Sequence, residues 1–121
     1  MADRHFFNVD DLATGMPRKL AEGVNTRIFI GENVMMSVVT IDPGCEGKPH
    51  SHPEEQWGLV LKGGGVRIQD GIDHAVSAGD FWLTPGGVPH GFRAGPEGVT
   101  ILDVFSPPRP AYRKPGEGFG D

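Results

Sequence analysis

The stretch that decides the fold is residues 44–63, GCEGKPHSHPEEQWGLVLKG, completed by residues 79–90, GDFWLTPGGVPH. Both are short apolar runs framed by Gly and Pro, the punctuation of strands joined by turns. Successive side chains of a strand point to opposite faces. His50, His52 and Gln56 share one parity, so one extended or gently bulged segment can aim all three inward. His90 must then come from a separate strand. Neutral imidazole is a common ligand for zinc, nickel, iron and copper. Three histidines in two Gly-framed segments therefore read as a metal site, with Gln56 as a fourth donor. Glu55 has the wrong parity; Glu54 has the right one but follows Pro53 and reads as a rim residue. His5 and His74, in unrelated segments, read as surface residues.

Working outward from these runs, the pattern stays β. Strands are expected at residues 26–30, 34–41, 56–61, 66–69, 72–76, 81–83, 90–93 and 99–105. The Gly-rich run 62–65 ends one of them, and Asp70-Gly71 is a two-residue hairpin signal. About nine short strands with turns every 8–12 residues are the mark of an all-β sandwich or barrel. No long helical pattern interrupts them, which argues against a parallel α/β sheet. The first 20 residues are ambiguous: Asp10 to Ala13 could cap a helical turn that Gly15 and Pro17 keep short. Trp57 and Trp82 read as core or interface residues.

A chain of 121 residues makes one domain. Gly and Pro supply 30 residues, 19 plus 11, but they are spaced between apolar runs as turns are. The net charge of −5 and the absence of a basic cluster exclude a nucleic-acid or anionic-membrane binder. No apolar run is long enough to span a membrane. The single cysteine, Cys45, fits a reducing, cytoplasmic setting and reads as a half-buried thiol in a turn. Residues 114–121 form a polar, Gly-rich tail expected to fray.

A second cluster lies in residues 99–109, VTILDVFSPPR. Asp103 sits mid-strand on the face that carries Ile101 and Phe105. An unpaired carboxylate is rarely buried there, so Asp103 either faces a lumen holding a cation or substrate, or pairs with a buried arginine. Arg109 follows the stiff Ser106-Pro107-Pro108 segment. It is either a fork for a carboxylate or a solvated surface side chain.

Gly44, His50, His52, Gln56 and Gly63 match the first cupin motif, G(X)5HXH(X)3–4E(X)6G, with Gln in place of Glu. Gly79, Pro85, Gly87 and His90 match the second, G(X)5PXG(X)2H; Ala94 stands where its Asn is usual. The chain thus resembles the cupin superfamily, which implies a single-domain jelly-roll barrel over residues 26–110, an N-terminal arm over 1–25 that exchanges between subunits, a flexible tail over 111–121, and a homodimer. The early Phe6-Phe7 pair would be the anchor of that arm. The Gln-for-Glu difference has a physical consequence. Three imidazoles and an amide leave a divalent ion its full charge, a stronger Lewis acid than one with a carboxylate ligand. This is unlike the two-His, one-carboxylate set of iron oxygenases.

With DVFSPPR, the resemblance narrows to the pectin-degradation cupins of the KdgF type. That resemblance implies a divalent metal (zinc, nickel, iron or manganese) on His50, His52, Gln56 and His90. It implies catalytic Asp103, Phe105 and Arg109, and conversion of cyclic 4,5-unsaturated monouronates from pectin or alginate into linear ketonised sugars. Asp103 would move the proton, Arg109 hold the carboxylate and Phe105 pack against the ring. The competing expectations are a metal-dependent cupin dioxygenase or lyase on another small molecule, and a non-catalytic small-ligand-binding cupin.

Overall fold

The computed structural model describes residues 5–120, and within them the chain is all-β. Eight strands run β1 (Met16–Ala21), β2 (Val24–Ile30), β3 (Met35–Ile41), β4 (Glu46–His50), β5 (Glu55–Gln69), β6 (Ile72–Ser77), β7 (Phe81–Thr84) and β8 (His90–Ser106), followed by a 3-10 turn at Pro110–Tyr112. All pairings between these strands are antiparallel. The path is β1-β2-β3-β8-β5-β6, with β4 added to β8 and β7 to β5.

Two long strands make the barrel. The first part of β5 pairs with β7 and with the end of β8: Gln56 faces Phe105, Gly58 faces Asp103 and Val60 faces Ile101. Its second part pairs with β6 and with the start of β8, where Gln69 faces His90. Each strand thus passes from one layer of the jelly roll to the other. The expected break at residues 62–65 is absent. Gly63 lies at φ +71°, and the register shifts between Gly63 and Gly65. The glycines kink the ladder instead of ending it, as bulges do. A Cβ on Gly63 would stand 2.0 Å from the Gly98 carbonyl oxygen, so only glycine fits this close approach. Likewise β8 continues through the expected gap at 94–98.

The Asp70-Gly71 hairpin forms as expected, both residues having positive φ, between Gln69 and its partner Ile72. β1 begins within the ambiguous first 20 residues and, although it lies in the segment expected as an arm, pairs with β2 of the same chain. Residues 113–120 lie back against the barrel: Gly118 N–H donates to Lys19 O at 2.8 Å, and Lys19 bridges Glu117.

The core gathers the inward alternation of these strands, including Val24, Ile28, Met35, Val39, Val60, Phe92, Ile101 and Phe105, and Tyr112 of the 3-10 turn joins it. The opposite face of the β7-β5-β8-β3 layer is also apolar. Trp57, Leu59, Phe81, Leu102 and Val104 line a shallow groove on it, and Phe81 is 68% exposed. Trp82 packs against the core, stacked near Phe92, whereas Trp57 stands on this outer face. Phe6 and Phe7 are exposed, with Phe7 against Phe29 at 4.8 Å between ring centroids.

Candidate metal centre

Four segments converge on one end of the barrel. His50 ends β4, His52 lies in the loop after it, Gln56 enters with β5 and His90 opens β8. His50 and His90 are register partners across the β4–β8 ladder, which sets their rings 4.6 Å apart. One extended segment does not carry the three: a loop over residues 51–54 separates β4 from β5, so His50 and Gln56 come from different strands and His52 is aimed by the loop. One ring nitrogen from each of the three histidines lies within 4.8 Å of the others. His5 and His74 are exposed, away from this group.

The surroundings leave a nitrogen lone pair on each ring. His90 Nδ1 faces the Val88 carbonyl at 2.9 Å and His50 Nδ1 the Lys48 carbonyl at 3.3 Å. A proton on each Nδ1 satisfies those carbonyls and leaves Nε2 as the donor nitrogen. His90 Nε2 is buried with no hydrogen-bond partner. His52 Nδ1 points at the Glu54 carboxylate, 3.4 Å away, while its Nε2 lies 3.0 Å from Gln56 Oε1. With its proton on Nε2, His52 donates to Gln56 Oε1; with the proton on Nδ1, toward Glu54, Nε2 and Oε1 are two lone pairs facing each other, a pairing that a cation satisfies. Burial pushes all three imidazoles down, His50 to about 4 and His90 to about 3; His52 is lowered as well. They are neutral at physiological pH, the form that binds metal. The donor set therefore fits a divalent ion.

Asp103 lies on the inner face, between Gly58 and Ser37 in register. Its Oδ1 is buried and unpartnered. Burial raises its pKa from 3.8 to about 6, against the opposing pull of Arg67, Gln56 and Arg109. Phe105 is buried edge-on to His52, 5.5 Å between centroids. Arg109 is not a surface side chain. It is 2% exposed, sits 4.2 Å over the Tyr112 ring and keeps an unpartnered buried Nη1. His50, Gln56, His90, Asp103, Phe105 and Arg109 all line one cavity of about 40 Å³.

Three residues of this site were not expected. Glu54 is buried instead of standing on the rim, and its carboxylate lies between His52 Nδ1 and Arg109 Nε, 3.8 Å from the latter. It ties a candidate ligand to the candidate anion-binding arginine. Arg67 is buried beside Asp103. It donates to Thr84 Oγ1 at 2.7 Å and lies over Trp82. Alternation in residues 66–69 marks Arg67 as polar-faced; the bulges in β5 decide that this face is the lumen. Phe119, whose ring lies 4.3 Å from that of His50, comes from the tail and carries no periodic signal.

The model of the cupin domain matches residues 37–105. Dimethylsulfoniopropionate lyase DddW of Ruegeria pomeroyi is 34% identical over 74 residues, which cover 61% of this chain and 49% of that protein. The chain thus spans about half the length of that relative. Pectin degradation protein KdgF of Dickeya dadantii is 28% identical over 93 residues, covering 75% of this chain and 84% of that protein. Among solved structures, KdgF from Halomonas sp. superposes with a TM-score of 0.75 at 27% identity, covering 88% of this chain and 94% of that one.

Proposed function

The chain belongs to the cupin domain family, and from that premise we propose that it is a metal-dependent enzyme that linearises 4,5-unsaturated monouronates. One observation carries the reading. A carboxylate with a buried, unpartnered oxygen, Asp103 Oδ1, lines a small cavity together with His50, His90 and the buried Arg109. Pure ligand storage gains nothing from a carboxylate held near neutrality, whereas proton transfer does. The similarity to pectin degradation protein KdgF over 84% of its length supports the substrate class.

His50, His52, Gln56 and His90 would hold the ion: zinc, nickel, iron or manganese. When bound, a divalent ion supplies a Lewis acid that stabilises negative charge on substrate oxygen. The reaction is an isomerisation. The C1 hydroxyl loses its proton, C1 becomes an aldehyde and the bond from C1 to the ring oxygen breaks. The resulting enol at C5 gains a proton at C4 and becomes a ketone. Asp103, with a pKa near 6, exists in both forms close to neutral pH and can move the proton at either stage. Arg109 would hold the substrate carboxylate through its free Nη1. Phe105 would form the apolar wall that orients the ring.

The test is the 4,5-unsaturated chromophore. Metal-loaded protein bleaches it, chelator stops the bleaching, and Asp103→Asn slows it by about two orders of magnitude or more. Unchanged absorbance with loaded protein refutes the assignment. The 34% identity to dimethylsulfoniopropionate lyase favours one rival, a lyase acting on another small carboxylate; release of dimethyl sulfide from that compound would decide for it. We also assign a homodimer docked through the apolar Trp57 and Phe81 face, tested by mass in solution, and a cytoplasmic setting from the lone Cys45.

A further inference from the structure

The tail closes the cup. The Phe119 ring lies over His50, and it nests where Gly47 leaves room: a Cβ there would meet Phe119 Cζ at 2.7 Å. The Phe119 carbonyl accepts a hydrogen bond from Arg109 Nη2. Behind it, Arg18 clasps the tail with three bonds, to the carbonyls of Ala111 (2.9 Å), Glu117 (2.8 Å) and Gly118 (2.7 Å). Arg18 is buried and lies over the Tyr112 ring. Gly118 and Gly120 have positive φ, so the turns that place Phe119 need glycine.

The volume shows what this closure excludes. The cavity is about 40 Å³, room for an ion and two or three waters at roughly 10–15 Å³ each. Sites for small organic ligands start near about 300 Å³. No sugar acid enters while Phe119 is seated. The same seating also occupies a guanidinium nitrogen that a carboxylate needs for a two-pronged bond.

We propose that residues 114–120 are a gate over the metal cup, with Phe119 as the residue that limits ligand size, and that a carboxylate-bearing ligand opens it by taking Arg109 from the Phe119 carbonyl. The carboxylate deepens the function proposed above and rests on it; the gate does not.

The test has two arms on the full-length chain. The first needs no ligand. Without metal, Phe119→Ala and Gly47→Val are each treated with diethyl pyrocarbonate, with His5 and His74 as internal references. His50 modification is expected to accelerate about three- to tenfold, the loss of one aromatic pair, with the thermal midpoint of at least one variant unchanged. Rates in both variants equal to that of the unsubstituted chain overturn the gate. In the second arm, zinc-loaded protein receives sodium acetate, sodium galacturonate or neutral galactose, and hydrogen exchange of the Gly118 amide is followed. Faster exchange with acetate or galacturonate but not galactose supports the proposal, and no response to either carboxylate overturns it. Opening by acetate alone keeps the gate and removes the uronate.

Discussion

Replacing Asp103 by Asn is expected to stabilise the metal-free protein and, under the proposed function, to slow turnover. The carboxylate is raised from 3.8 to about 6, first by burial. In the folded state it binds its proton more tightly than in the unfolded chain, so ionisation works against folding. The sign follows from linkage: the penalty is absent below about pH 4, grows as pH rises to about 6, and is fully present above it. At about 1.4 kcal/mol for each tenfold change in proton affinity, it amounts to roughly 3 kcal/mol at pH 7. Asn has the same shape and no charge to desolvate. That figure is already net of the opposing pull of Arg67, Gln56 and Arg109, so a gain of up to about 3 kcal/mol is expected. Urea unfolding of both proteins, stripped of metal, from pH 4 to pH 8 measures it. The two curves converge at pH 4 and separate above pH 6, with the variant more stable. A variant equally or less stable at pH 7, or a gap that persists at pH 4, refutes the reasoning.

Gln56→Glu adds a charged ligand. Metal affinity is expected to rise about tenfold or more in a competition titration, while turnover falls because the ion is less electrophilic. Without metal, acid destabilises the fold between about pH 6.5 and pH 4. His50 and His90 titrate near 4 and 3 when folded but near 6.5 when unfolded, so the unfolded chain takes up more protons. Asp103 opposes this below about pH 6, and the two imidazoles outweigh it; a urea midpoint that rises on acidification contradicts the assignment. Gly63→Ala is expected to cost about 3 kcal/mol or more, because positive φ and the Gly98 carbonyl both oppose a Cβ; an unchanged thermal midpoint rules out the close approach.

The fold was legible where alternation and turn chemistry coincide, as at β3, the Asp70 hairpin and β7. It was illegible where glycine serves two purposes. Residues 62–65 have the composition of a loop, yet they bend a continuous strand, because whether Gly63 ends or kinks a ladder depends on Gly98 some 35 residues away. The converging histidines and Gln56 could be read from spacing. Asp103 betrayed itself as a carboxylate among apolar neighbours. Arg67 and Glu54 did not, since which face of a bulged segment is the lumen is fixed by tertiary pairing. Phe119 sits in residues whose composition says only solvent, and its docking depends on Arg18, about a hundred positions earlier.

The four candidate donors reach the cup from β4, the loop after it, β5 and β8, the last paired to both other strands along its length. No hairpin of this chain holds more than a fragment of the set. An ion in solution thus meets only the incomplete set of His50, His52 and Gln56 until the long-range pairing of β8 brings in His90. Added zinc is accordingly expected to leave the refolding arm of a chevron in place and to depress the unfolding arm, making the cation a lock on the finished molecule and not a template for it.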